Sequence, residues 1–222
     1  MILPERVLFV GAHCDDIELF AGGLLAELCY RRSHRVGVLV FSDHRGVIDD
    51  AAAAAARGEF AGNLAWLAGE TGADVADHTS FMLPACRGAF ELERGKIYAA
   101  LESLRDRYEL VVTHTPTDTN QDHQQVALEA ARVFKAHGSL LGGEFPSNDL
   151  AGFTPQVFVA LSARALDAKV RLVSTYASQR FGGRPYLDEG ALRGLARVRG
   201  SQIREEAAEA FAVSGRVIVR VG

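Results

Sequence analysis

The side chains able to do chemistry concentrate in two polar stretches. The first is Gly11-Ala12-His13-Cys14-Asp15-Asp16-Ile17-Glu18, and the second runs from His114 through Asp118, Asn120 and Asp122 to His123. Together they pool His13, Asp15, Asp16, Asp118, Asp122 and His123. Imidazole nitrogens and carboxylate oxygens suit Zn²⁺ or another divalent ion. A catalytic zinc takes about three protein ligands and keeps one position open for water. Two His and one Asp from this pool meet that count, and a further Asp beside the ion can accept the proton of that water. Each residue alone has a plainer reading: a His after a strand is a hydrogen-bonding group, and an Asp pair before a helix is a cap. What separates the chemical reading from the plain one is joint placement. His34, His44, His78 and His137 take the plain reading, whereas His114 ends a strand that faces the same crevice. Cys14 lies between candidate ligands, but its side chain should point away from theirs and take a packing role.

The elements around these stretches explain how they meet. Val7 to Val10 is a continuous apolar strand of the kind a parallel sheet buries on both faces, followed by a helix over Glu18 to Arg32 with Arg31 and Arg32 in its last turn. Val36 to Phe41 is a second strand, and Ser42 to Ile48 a polar loop. Asp49 and Asp50 before an alanine run start a helix that continues to about Ala68. A weaker strand near Ala73 to Ala76 precedes a helix over Leu92 to Arg107. Leu110 to Thr113 is a strong strand, and Asp122 to Ala136 a helix. Further strands are expected at Gln156 to Leu161 and Arg216 to Val221, with helical patterns between them at Ala163 to Tyr176 and Leu192 to Phe211. Alternating strands and helices imply right-handed crossovers and an α/β fold: a Rossmann-like, mostly parallel sheet flanked by helices. Ligands of such sheets sit beyond the carboxyl ends of the strands. A 3-2-1-4-5 order makes the first and fourth strands neighbours and brings both polar stretches together.

The 222 residues contain no linker-like stretch, and residues 1–222 read as one domain with a sizeable core. Lys and Arg number 24 against 28 Asp and Glu, a net charge of −4. No basic excess points to nucleic acid, and no run approaches the ~20 apolar residues of a membrane span. Cys14, Cys29 and Cys86 are too few and too scattered for a disulfide framework, which fits a reducing, cytoplasmic setting. G-x-G-x-x-G after the first strand, a P-loop, H-E-x-x-H and G-x-S-x-G are all absent. Gly22 and Gly23 allow either close helix packing or a ligand's approach to the backbone.

Side by side, the two stretches resemble the LmbE-like, or PIG-L, family of zinc-dependent N-acetylglucosaminyl deacetylases. Its first signature, A-H-x-D-D-(I/V)-E followed by Gly-Gly, reads here Ala12 to Glu18 with Gly22 and Gly23. Its second, D-x-H-x-D-H, reads Asp118 to His123 with Asn120 at the first His. Later similarities include Glu144 to Ser147, Lys169, Tyr176 to Gln179, Arg199-Gly200 and Ala208 to Phe211, so the resemblance spans nearly the whole chain. It implies His13, Asp16 and His123 as ligands of Zn²⁺ or another divalent metal, Asp15 as catalytic base, and Asp122 as an acid supporting the second motif. Two positions depart from the pattern. Cys14 stands where Pro is common. Asn120 stands where many members carry a His that stabilises the oxyanion or protonates the leaving amine, and Asn can donate a hydrogen bond but no proton. The implied activity is removal of an acetyl group from a 2-acetamido sugar, free or conjugated, by a protein that is either a monomer or a homo-oligomer. Hydrolysis of another small amide or ester, or non-catalytic sugar binding on the same fold, are the alternatives.

Overall fold

Val7 to Val10 show no exposed surface, as an apolar run in a doubly covered strand requires. The computed structural model describes residues 3–85, 88–148, 152–179 and 183–219, so Cys86 lies outside the described residues. It places the run in β1 (Arg6–His13), the third strand of a sheet of seven. The others are β2 (Arg35–Ser42), β3 (Val75–Asp77), β4 (Leu110–Thr113), β5 (Ser139–Gly143), β6 (Val157–Ala160) and β7 (Ala208–Val213), in the order β3-β2-β1-β4-β5-β7-β6. The first five pair in parallel, and β7 pairs antiparallel with both β5 and β6. β1 therefore lies beside β4, with Val7 opposite Leu110, and the two polar stretches leave the sheet at neighbouring strand ends.

Period-two alternation divides the core. Val7, Phe9, Val36, Val38 and Val112 pack beneath α1 (Asp16–Arg31), α2 (Asp50–Thr71) and α6 (Ala163–Ser174). Leu8, Val10, Leu39, Phe41 and Val111 pack beneath α3 (Ala89–Leu92), α4 (Arg94–Glu102) and α5 (Gln121–Phe134). The last helix, α7 (Glu189–Ser201), lies against β7. No helix among the described residues is long and apolar enough to cross a membrane.

Several expected elements take a different form. The helical pattern from Leu192 to Phe211 breaks into α7 and β7, because Ala208, Ala210 and Phe211 fill a slot between β5 and β6 and packing overrides the helix preference of Ala and Glu. Strand β5 has no counterpart among the expected elements: Ser139-Leu-Leu-Gly-Gly143 carries neither alternation nor β-branched residues. The expected terminal strand at Arg216 to Val221 is not formed over residues 216–219, and residues 220 and 221 lie outside the described range. The helix expected from Leu92 to Arg107 forms over Arg94–Glu102 as α4; Leu92 ends the short α3, and residues 103–107 are turns. The cap at Asp49 forms as expected, its Oδ1 accepting from Ala52 N at 2.8 Å.

Gly22 and Gly23 prove to be packing residues. A Cβ on Gly23 would lie 2.5 Å from Leu161 Cδ1, and one on Gly22 would lie 3.2 Å from Lys169 Cγ. The helix α1 is kinked just before them, with Ala21 at φ −146° and ψ 17°, which frees backbone N–H groups in mid-helix. Glu209 on β7 satisfies them, accepting from Gly23 N at 2.9 Å and Leu24 N at 2.7 Å. Its charge is balanced by Lys169 Nζ at 2.6 Å, and both side chains are buried. The turn of α1 that carries the candidate ligands is thus set off from the body of the helix. Glu209→Ala should destabilise the protein by about 3–5 kcal/mol, because it strands a buried ammonium and two N–H groups. Lys169→Met, which leaves Glu209 its two N–H donors, should cost roughly 1–3 kcal/mol. Urea-unfolding midpoints check the order, and a larger loss for Lys169→Met would refute this account of the kink.

Candidate metal centre

His13 is the last residue of β1, Asp16 opens α1, and His123 sits in the first turn of α5. Parallel pairing of β1 with β4 brings these three together, and all are buried. His123 Nε2 lies 3.3 Å from His13 Nδ1 and 3.3 Å from Asp16 Oδ1, and His13 Nδ1 lies 3.5 Å from Asp16 Oδ2. A tetrahedral ion with nitrogen and oxygen ligands at about 2.0–2.1 Å spaces its ligand atoms by roughly 3.3–3.4 Å, so the separations fit.

The outer nitrogens define the tautomers. His13 Nε2 lies 3.1 Å from Asp122 Oδ2, and His123 Nδ1 lies 2.8 Å from Asp118 Oδ2. A carboxylate only accepts, so each neutral ring carries its proton on the outer nitrogen and turns a lone pair inward. Two lone pairs and a carboxylate oxygen then face one point, an arrangement that calls for a cation. Without an ion, protons answer the same demand. Burial alone would lower the His13 pKa, but Asp16 and then Asp122 outweigh it and hold it at about 9. For His123 burial is likewise outweighed, by Asp16 and Asp118, and its pKa stands at about 10. Burial works to raise the Asp16 pKa, yet His123, His114 and His13 hold it well below the usual carboxylate range.

The remaining carboxylates and histidines take distinct places. Asp15 occupies the N-cap position of α1 but makes no capping bond with its side chain. Instead its Oδ1 meets His44 Nε2 at 3.2 Å. Asp16 Oδ2 accepts from His13 N at 2.7 Å, so the two neighbouring carboxylates diverge. Asn120 caps α5, its Oδ1 accepting from Asp122 N at 2.9 Å, which leaves its amide nitrogen as its only side-chain donor. His114 Nε2 lies 3.0 Å from Asp16 Oδ2, and its ring stacks on His123 at 3.8 Å. Burial and then the neighbouring His123 lower the His114 pKa. An open cleft of about 570 Å³ is lined by His13, Asp15, Asp16, His44, Asn120, Asp122 and His123, with Phe145, Arg184 and Tyr186 on its walls.

The six residues singled out in the sequence as ligands or catalytic groups thus lie around one cleft. Asp118, pooled there without a role, orients His123. His44, which took the plain reading in the sequence, also lines the cleft and meets Asp15. It follows β2, which flanks β1, so the strand-end logic that selected His13 applies to it as well. By contrast His78 bonds Tyr108 at 2.7 Å, and His137 meets Asp106 at 3.3 Å, both away from the cleft. Cys14 is packed, with its Sγ 3.6 Å from the Ser42 carbonyl, and burial first, then the nearby acids, hold its thiol far above neutrality.

A buried strut fixes the turn bearing Asp15 and Asp16. The Tyr176 hydroxyl donates to the Cys14 carbonyl at 2.5 Å, and its oxygen lies 2.8 Å from Glu18 Oε1. One phenol proton cannot serve both partners, so a proton on Glu18 completes the chain. Burial supplies the reason for that proton: it is the largest influence on Glu18 and lifts its pKa from 4.5 to about 7.

The fold and these side chains define a Rossmann-like protein whose strand ends carry a His/Asp/His group of the kind that holds a divalent ion. The chain belongs to the PIG-L family: the profile described as PIG-L: GlcNAc-PI de-N-acetylase matches residues 8–134, which include His13, Asp15, Asp16 and His123. Comparison with curated proteins found no match. Among solved structures, the conserved protein TT1542 from Thermus thermophilus is similar with a TM-score of 0.71 at 23% identity, over 97% of this chain and 96% of that one. GalB, the 4-carboxy-2-hydroxymuconate hydratase from Pseudomonas putida, has a TM-score of 0.71 at 19% identity, over 99% and 100% of the two chains. The N,N'-diacetylchitobiose deacetylase from Pyrococcus horikoshii has a TM-score of 0.67 at 17% identity, over 94% and 83%. At these identities the likeness shows a shared fold.

Two outcomes follow from the geometry. His123→Ala should lose most bound divalent ion, and Asp118→Asn should weaken metal affinity by about 10- to 100-fold while leaving the ligands in place; unchanged metal content in His123→Ala would displace it as a ligand. Stability should also carry a Glu18 signature. The unfolded chain releases this proton near 4.5 and the folded one near 7, so its stabilising contribution is complete below 4.5 and is lost as pH rises through 7. Denaturant unfolding of Glu18→Gln should therefore show stability relative to the parent rising between pH 5 and about 8. A difference that does not change with pH would contradict a protonated Glu18.

Proposed function

We propose that this protein is a metal-dependent hydrolase that removes the acetyl group from a 2-acetamido sugar or its conjugate, with Zn²⁺ or a divalent ion of similar ligand preference. The observation that carries this reading is the ligand trio His13, Asp16 and His123 with an uncapped, cleft-facing Asp15 beside it, in a member of the GlcNAc-PI de-N-acetylase family. Deacetylase activity in a protein of the same fold supports it.

His13, Asp16 and His123 would hold the ion, and Asp118 and Asp122 would keep the two rings turned toward it. When bound, such an ion polarises the amide carbonyl and acidifies the attacking water. Asp15 accepts the proton of that water and passes it to the departing amine, so that acetate and a free amino sugar result. Asn120, its carbonyl held by the helix cap, offers its N–H to the amide oxygen as negative charge grows there. The cleft of about 570 Å³ is within the usual range of small-molecule sites.

A second reading is addition of water to a carbon–carbon double bond of a carboxylated substrate. It is favoured by the end-to-end likeness to the GalB hydratase and by Arg184 on the cleft wall.

Acetate release from a panel of free, nucleotide-linked and lipid-linked N-acetyl sugars separates the two. The metal-loaded protein should release acetate from at least one of them and stop when a chelator is added. Asp15→Asn should keep its metal and lose turnover by about 10²- to 10⁴-fold, because an amide cannot take the proton. Near-parental turnover in metal-loaded Asp15→Asn would remove Asp15 from the mechanism, and absence of acetate from every substrate would leave the hydratase reading to be tested.

A further inference from the structure

His44 is not a ligand in the trio and belongs to neither sequence signature, yet the polypeptide goes to some length to aim it at the site. Its backbone is left-handed, with φ at 66°, a conformation that the Cβ of an L-residue opposes. Residues held this way persist only when their surroundings over-determine them, and the loop does so. His44 N donates to Ser42 Oγ at 3.2 Å, and His44 O accepts from Val47 N at 3.1 Å and Ile48 N at 3.2 Å. The preceding Asp43 is wholly buried and takes Arg45 N at 3.2 Å, Arg45 Nε at 3.0 Å and a contact from Arg57 Nη1. Ala85 N donates to Arg45 O at 2.8 Å and ties the loop to the next segment. The imidazole so placed stacks on His13 with ring centroids 4.5 Å apart and planes 14° off parallel, and its Nε2 lies 3.2 Å from Asp15 Oδ1.

We infer that His44 is a positioning residue for Asp15: its Nε2–H donates to Asp15 Oδ1 and fixes the carboxylate, with the second oxygen turned to the reacting water. This rests on the reading of Asp15 as the base. The physical need is plain. An Asp at an N-cap ordinarily folds back onto the N–H groups of its own helix, and a base so occupied would be turned from the cleft and weakened as an acceptor. Asp15 avoids that arrangement through its backbone, at φ −94° and ψ −7° instead of the extended conformation of a capping residue, and His44 supplies the donor that fixes the carboxylate so released. His44 also stacks on the His13 ring, so one side chain steadies both the base and a ligand.

The test compares His44→Phe and His44→Gln in the metal-loaded protein. Phe keeps a ring over His13 without the N–H, and Gln restores an amide donor at similar reach. Both bear the same left-handed backbone cost, so their difference isolates the hydrogen bond. We expect metal content equal to the parent in both. His44→Phe should lose turnover by about 10- to 100-fold, as when a reacting group's orienting partner is removed, with KM little changed. His44→Gln should recover a good part of that loss. Parental kcat in His44→Phe, or equal losses in Phe and Gln, would overturn the inference while leaving the deacetylase reading intact. A readout that needs no substrate separates the two further. ¹⁵N imidazole spectra of the metal-loaded parent should show His44 as the Nε2–H tautomer with a slowly exchanging proton, and Asp15→Ala should abolish that protection. An Nδ1–H tautomer, or protection unchanged by Asp15→Ala, refutes the positioning role even if the protein is inactive on every substrate tried. The Nε2–H pattern in a protein that releases no acetate supports the contact and rejects the deacetylase reading alone.

Discussion

The inward-facing lone pairs of His13 and His123 meet the Asp16 carboxylate at a buried point, and much of the surrounding structure answers to that convergence of acceptors. Such a point is unstable unless positive charge fills it. The rings are prevented from flipping away by Asp122 and Asp118, each of which holds the opposite ring nitrogen. Asp16 is prevented from swinging out by His13 N, which donates to its Oδ2. Three carboxylates are thereby gathered in a small volume, a cost eased by the histidines among them and by the positive ends of α1 and α5, whose first turns carry Asp16 and Asp122. The pKa values of about 9 and about 10 at His13 and His123 express the same demand in the currency of protons.

The scaffold supplies this point through local breaks in regularity. Helix α1 does not run smoothly from the site: the kink at Ala21 separates the turn carrying the candidate ligand Asp16 from a body packed against α6. Glu209, delivered by the antiparallel strand β7, caps the freed N–H groups, and Lys169 balances its charge. On the site side of the kink, Tyr176 and Glu18 brace the Cys14 carbonyl. Glu209, Lys169 and Tyr176, which brace this helix, come from the C-terminal half of the chain, although the candidate ligands and Asp15 lie within its first 123 positions. On the opposite flank, a left-handed residue in the loop after β2 brings His44 onto Asp15. Glycine has a further part in the sheet: a Cβ on Gly37 would lie 2.1 Å from the Tyr108 hydroxyl, so that residue's close approach to β2 depends on its absence.

Much of this was legible in the chain itself. Apolar runs at Val7 to Val10 and Leu110 to Thr113 showed strands buried on both faces, and their alternation with helices dictated parallel pairing and a crevice at the strand ends. Residue types and spacing in Ala12 to Glu18 and Asp118 to His123 marked a pool of candidate ligands and bases, because metal chemistry restricts the permissible donors to few side chains, and the family resemblance implied the role of each. Tertiary structure alone decided the rest. Ala208 to Val213 is a strand because a slot between β5 and β6 buries it, although its residues favour a helix. Gly22 and Gly23 serve packing and not a ligand, since only the assembled molecule shows Leu161 and Lys169 against them. The sides taken by Asp15 and Asp16 depended on partners 29 and 107 residues away, His44 and His123. Local pattern registers which chemistry a segment can do and which face it buries, but the direction of a polar side chain is set by the partner that reaches it. Here those partners come from distant loops, and no periodicity records their approach.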